Sequence, residues 1–130
     1  MTTTSERLPT WELPITTTLV VSTALATRDF QDVHHDRDLA QSHGSKDIFV
    51  NILSTTGLVQ KYVGDWARDS VGPEFVVRSC ALRLGAPAHP YDTLSFSGEV
   101  TDDADGVLTI DVVGRVSLGD HVTAKVAIAR

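Results

Sequence analysis

Residues 47–66, DIFVNILSTTGLVQKYVGDW, decide the fold. Ile48, Ile52, Leu53, Val59, Val63 and Trp66 recur at helical spacing, which predicts a long helix with one apolar face that must be covered. Ser45 or Asp47 offers a side-chain oxygen for its first turn, and Gly72 with Pro73 ends it. Gly57 interrupts this helix at a cost of about 1 kcal/mol relative to alanine, and close packing against a sheet would account for it.

Everything downstream of that helix reads as strand. FVVRSCALRL (75–84), TLSFSGEVT (93–101), VLTIDVVGRVSL (107–118) and HVTAKVAIA (121–129) are separated by the turns GAPAHPYD, DDADG and GD. Within them Leu94, Phe96 and Val100, then Leu108, Ile110 and Val112, then Val122, Ala124, Val126 and Ile128 share one face. Upstream, TTLVVSTALA (17–26) is β-branched and apolar enough to predict a further strand. Residues 1–16 read as a polar, Pro-bounded N-terminal arm, with Trp11 and Leu13 as its anchors. The predicted order is strand, charged segment, one long helix and four strands in meander. The economical way to bury one amphipathic helix is an antiparallel sheet curled around it, so the expected class is α+β with a hotdog fold in a single domain spanning 17–130. One helix leaves apolar sheet positions uncovered, and a second copy would cover them.

Bulk properties narrow the function. The chain has 130 residues, 42% of them hydrophobic, and a formal net charge of −6. That balance argues against nucleic acid, since no basic stripe exists to replace phosphate counterions. The single cysteine, Cys80, excludes a disulfide or a cysteine-based zinc knuckle within the chain. The opening MTTTSERLPTWELP lacks a cationic start followed by an apolar core, and no apolar run reaches the ~20 residues of a membrane span. A cytoplasmic setting is expected.

Residues 28–40, RDFQDVHHDRDLA, hold the candidate chemistry. Adjacent histidines in an extended segment point in opposite directions, and there is no helical His-x-x-x-His pair, so no metal site is expected from His34, His35, Asp36, Asp38 and His43. A solvated turn is the plain reading of Arg28, Arg37 and Asp38. Asp29 and His34, on a loop that leaves a strand and enters a short helical turn, are the candidates for proton transfer: a carboxylate takes a proton from water, and an imidazole titrates near working pH. His35, His89 and His121 are expected at the surface, Cys80 in the core, and Arg78 and Arg83 as strand-surface charge.

The same stretch resembles the hydratase motif of the MaoC-like, R-specific enoyl-CoA hydratases, with Asp29, Val33, His34 and Ala40 on the pattern and Gln31–Asp32 in place of its usual Asn-Pro. DTLSFSGEV (92–100) resembles that family's strand entry, with Tyr91 where glycine is usual. The longer blocks 21–38, 44–53 and 91–100 are similar to the small MaoC-like subunit of actinobacterial steroid side-chain hydratases. The resemblance implies water addition to the double bond of a steroid side-chain enoyl-CoA. Asp29 would activate the water and His34 would hold it. The backbone amide of Asn51, at the family's glycine position opening the central helix, would stabilise the thioester oxyanion. It also implies no cofactor beyond the coenzyme A of the substrate. The implied partner is a larger MaoC-like subunit with an OB-fold/zinc-ribbon domain in a heterotetramer, and through it a thiolase-like aldolase. Two other functions stay open. A hotdog thioesterase would need a carboxylate on the central helix, for which Asp47 and Asp65 qualify, and a non-catalytic scaffold subunit would need neither Asp29 nor His34.

Overall fold

The computed structural model describes residues 6–130. In chain order the elements are β1 (Arg7–Pro14), α1 (Thr17–Ala26), a 3₁₀ turn (Asp32–His34), α2 (Arg37–Ser42), α3 (Ile52–Ser70), β2 (Val76–Leu84), β3 (Thr93–Ala104), β4 (Val107–Val116) and β5 (Gly119–Ala129). The described strands form one five-stranded sheet ordered β1-β3-β4-β5-β2, with every neighbouring pair antiparallel. It curls around α3, the hotdog architecture.

Three differences from the sequence reading have physical causes. Thr17–Ala26 is helix, not strand. Thr16 caps it, its hydroxyl accepting from the Leu19 N–H at 2.9 Å, and Val20 and Ala24, one turn apart, are fully buried. Cap and tertiary burial outweigh a β-branched composition whose intrinsic preference is worth only tenths of a kcal/mol. The strand of this region is instead β1, inside the presumed arm, where Trp11 pairs with Phe96 of β3 in the register. An arm ending at 16 therefore does not describe residues 7–14, which are part of the sheet; residues 1–5 lie outside the described chain. Finally, the four late strands are not a meander. β3, β4 and β5 are, but β2 crosses to the far edge of the sheet and pairs with β5, Cys80 opposite Val126.

The helix packs by its C-terminal two-thirds. Val59, Val63 and Ala67 are fully buried, whereas Ile52 and Leu53, predicted on the inner face, are more than half exposed. Tyr62 stacks on Phe96 at 5.6 Å between centroids and Trp11 stacks on Phe96 at 5.3 Å, while the Tyr62 hydroxyl donates to the Pro9 carbonyl at 2.6 Å. Burial pushes the Tyr62 phenol up to about 12. Gly98 of β3 makes this approach possible, since a Cβ there would stand 3.3 Å from the Tyr62 ring and 3.1 Å from the Asp111 carbonyl. Gly57, by contrast, has open space around it, so close packing is not its reason.

Candidate active site

Asp29 is planted by the end of α1. The Asp29 N–H bonds back to the Ala24 carbonyl at 2.9 Å and the Arg28 N–H to the Leu25 carbonyl at 3.0 Å, the paired reversal that closes helices with a left-handed residue. Arg28 holds that left-handed conformation, φ 58°, where glycine is the easier choice. The carboxyl then faces inward: Oδ1 accepts from the Gln31 N–H at 3.2 Å, and Oδ2 accepts from Asn51 Nδ2 at 3.0 Å.

His34 ends the 3₁₀ turn and is 5% exposed. The extended segment 48–51 clamps it at two points. The Phe49 N–H donates to the Val33 carbonyl at 3.1 Å, and the Phe49 carbonyl accepts from His34 Nδ1 at 2.7 Å. A carbonyl only accepts, so Nδ1 carries a proton and Nε2 is the ring atom turned toward Asp29. That Nε2 lies 3.3 Å from Asp29 Oδ2. Ala40, small and fully buried, follows from α2, whose N-terminus is capped by the Asp36 side chain accepting from the Leu39 N–H at 3.1 Å. The loop leaves a helix, not a strand, and it brings Asp29 and His34 together.

Asn51 is the N-cap of α3, in place of Ser45 or Asp47. Its Oδ1 accepts from the Ser54 N–H at 2.9 Å and from the Ser54 hydroxyl, and its Nδ2 donates to Thr27 Oγ1 at 3.0 Å as well as to Asp29. With φ −82° the position needs no glycine. Its backbone N–H has no acceptor among the described residues. The Asn51 side chain is the largest influence holding the Asp29 carboxyl below its usual range.

These groups line a pocket of about 320 Å³ closed on the far side by Gly85, Ala86, Pro87 and His121. His121 and His89 are corrections: both were expected at the surface and are buried, at 2% and 5% exposure. The β4–β5 pairing shifts register at Gly114/Arg115, leaving His121 as the extra residue of a bulge, so it turns inward beside Val122 where simple alternation points it out. His121 Nδ1 donates to the Ala86 carbonyl at 2.8 Å and Nε2 lies 2.8 Å from the Thr55 hydroxyl, joining both pocket walls. Burial lowers its pKa. Only its place after a turn was visible in the sequence, and turns do not announce bulges. His89 Nδ1 faces the Ile48 carbonyl at 3.1 Å, so that ring steadies the segment leading to His34.

Elsewhere, Cys80 is half-buried and burial raises its thiol. Among the described residues no cluster of three His, Cys, Asp or Glu could hold a metal, and no helix is long and apolar enough to cross a membrane. A larger pocket of about 450 Å³ lies between β1 and α3. Its carboxylates Asp65 and Asp69 are exposed, Asp65 paired with Lys61 at 2.9 Å, and Asp47 precedes α3; none of the three lines the inner pocket.

A curled sheet around one helix, with an aspartate and a histidine converging beside the helix N-terminus, defines a hydratase-type hotdog domain. No family model matches the chain. It is 62% identical over 122 residues, 94% of its length and 92% of the relative's, to the 3-oxo-4,17-pregnadiene-20-carboxyl-CoA hydratase β subunit of Mycobacterium tuberculosis. It superposes with a TM-score of 0.92, at 60% identity and covering 99% of this chain and 98% of the other, on a chain in the crystal structure of the ChsH1–ChsH2 complex from the same organism. The (R)-hydratase from A. caviae involved in PHA biosynthesis shares the fold at 16% identity, TM-score 0.84, covering 97% and 95% of the two chains. The chain belongs to the MaoC-like enoyl-CoA hydratase family, within the group of that β subunit.

Proposed function

We propose that this chain is the catalytic small subunit of a heteromeric hydratase that adds water to the α,β-double bond of a steroid side-chain enoyl-CoA, giving a β-hydroxyacyl-CoA. The observation that carries this is the facing pair Asp29 Oδ2 and His34 Nε2, 3.3 Å apart at a pocket wall. A carboxylate oxygen and an imidazole nitrogen side by side can hold one small O–H molecule, and water is the smallest. Held by the pair, its oxygen turns a lone pair to the β-carbon.

As the C–O bond forms, one water proton passes to the Asp29–His34 pair and the π electrons move to the thioester oxygen. The Asn51 N–H, at the positive end of the α3 dipole, donates to that oxyanion. When the enolate collapses, the α-carbon takes a proton back from the pair, which returns it to its starting state. The pair and the amide supply every group the reaction needs, with no cofactor beyond the coenzyme A of the substrate.

The substrate class and the partner follow the 62%-identical relative, a steroid carboxyl-CoA hydratase subunit, and the ChsH1–ChsH2 assembly. The site supports a larger MaoC-like partner subunit on its own terms. At about 320 Å³ the pocket stands at the lower end of ligand sites, small for a fused ring system and a thioester arm together. Around it Phe30, Ile52, Leu53 and Leu84 expose 65, 52, 54 and 40% of their surface, apolar area that a second subunit would cover. In the full proposal that subunit carries an OB-fold/zinc-ribbon domain, forms a heterotetramer with this chain in the cytoplasm and docks a thiolase-like aldolase.

The test follows the ultraviolet absorbance of the conjugated thioester with this chain alone and with its larger subunit, on a steroid side-chain enoyl-CoA and on a linear enoyl-CoA. Rapid loss only in the complex, faster on the steroid, is expected. Hydrolysis of the thioester without loss of conjugation would replace the reading with a thioesterase.

A further inference from the structure

Asn51 is known to the mechanism only through its backbone N–H, yet its side chain is the most densely engaged polar group of the pocket. It is 2% exposed, and each of its polar atoms is used. Oδ1 takes two hydrogen bonds from Ser54, while one Nδ2 hydrogen goes to Thr27 Oγ1 and the other to Asp29 Oδ2, both at 3.0 Å. The orientation is dictated by its neighbours. A flipped amide would set its oxygen against the Asp29 carboxylate and its NH₂ against the Ser54 N–H, two repulsive contacts. Thr27 is itself fixed, its hydroxyl donating to the Thr23 carbonyl at 2.8 Å.

Building on the hydratase reading, the geometry points to the Asn51 side chain as a positioning residue. It ties the first turn of α3 to the end of α1 and aims Asp29 Oδ2 at His34 Nε2. The oxygen that Asn51 grips is the same one that lies 3.3 Å from His34, so the amide decides where the water-holding oxygen stands. The other carboxyl oxygen is held by the Gln31 N–H, and together the two contacts leave the carboxyl group one rotamer. The amide also favours the ionised carboxyl, keeping Asp29 ready to accept a proton through the acid side of the working range.

Capping and clamping use opposite ends of one side chain, and substitution separates them. Serine and aspartate are good N-caps, so Asn51→Ser and Asn51→Asp keep an acceptor for the Ser54 N–H and keep the backbone amide, but neither donates to Asp29 as Nδ2 does. In the assembled complex we expect both variants to melt within a few degrees of the parent. At near-constant KM, kcat should fall about tenfold or more, as loss of aim implies. The acid limb of the kcat/KM profile should move to higher pH, further in Asn51→Asp, where two carboxyls share the site. Carbon-13 titration of the Asp29 carboxyl in Asn51→Ser reads the same contact without turnover and should show its pKa raised. Asn51→Ala removes cap and clamp together.

Parental kcat, pH profile and Asp29 titration in Asn51→Ser, with loss confined to Asn51→Ala in step with its melting point, would reduce the residue to a cap and overturn the proposal. Asp29→Asn runs alongside. Should it retain full activity, the hydratase assignment of Asp29 fails, whereas an inactive Asp29→Asn beside a parental Asn51→Ser removes the positioning role alone.

Discussion

The two ends of α3 are built on opposite principles. From Val59 to Ala67 the helix buries apolar surface against the sheet, and the inward Tyr62 hydroxyl is satisfied by Pro9. At the other end the buried residues are Asn51, Ser54 and Thr55, each hydrogen-bonded, while Ile52 and Leu53 face outward. One end obtains stability from area, which tolerates small displacements. The other fixes polar groups at defined distances, and a buried polar network functions only when all its members are paired. The fold therefore separates what holds the chain together from what performs its chemistry along 19 residues of one helix.

That contrast breaks most visibly at the dyad. Asp29→Asn or His34→Ala should lower kcat by roughly 10²–10⁴-fold in the assembled enzyme, with the melting point nearly unchanged, since proton transfer and not packing is lost. Comparable losses of activity and stability would erase the division. At the other end, Phe96→Ala should cost about 3–5 kcal/mol in denaturant unfolding, because it removes the ring that packs against both Trp11 and Tyr62. Activity per folded molecule should survive.

Between these extremes lies His121. Thr55→Val leaves its Nε2 without a partner and should cost about 1–3 kcal/mol, together with some pocket geometry. Its pH behaviour has a definite sign. Burial holds the folded-state pKa of His121 below that of the unfolded chain, about 6.5, so its contribution is complete above that pH and disappears as the pH falls through the folded value. Urea midpoints measured from pH 7 downward should fall less steeply in His121→Gln. The smallest effect is expected at Tyr91, 89% exposed with φ 72°. Tyr91→Gly relieves the left-handed strain and should raise stability by about 0.5–1 kcal/mol without touching turnover.

The apolar end was the legible one. Val59 and Val63 of α3, and Leu94, Phe96, Ile110 and Val126 of the strands, declare themselves through a 3.6- or two-residue period that burial directly imposes. α1 did not, because Thr17–Ala26 is helical by virtue of its Thr16 cap and the burial of Val20 and Ala24, neither of which changes its β-branched composition. β2 looked adjacent to β3 since sequence order carries no record of a crossover. At the polar end, Asp29 and His34 were readable as a motif, but the grip of Asn51 on Thr27 and Asp29 spans 24 and 22 residues and has no local signature. His121 was hidden by a bulge that reverses its side.

The central claim is that a water molecule stands against both Asp29 Oδ2 and His34 Nε2 while the thioester oxygen meets the α3 N-terminus. The most direct measurement is a high-resolution crystal structure of the assembled enzyme with the saturated acyl-CoA, which binds but has no double bond to hydrate. The account predicts an ordered water within hydrogen-bond reach of both dyad atoms, and the thioester oxygen on the Asn51 N–H. A thioester lying away from that amide, with no water shared by Asp29 and His34, would contradict it.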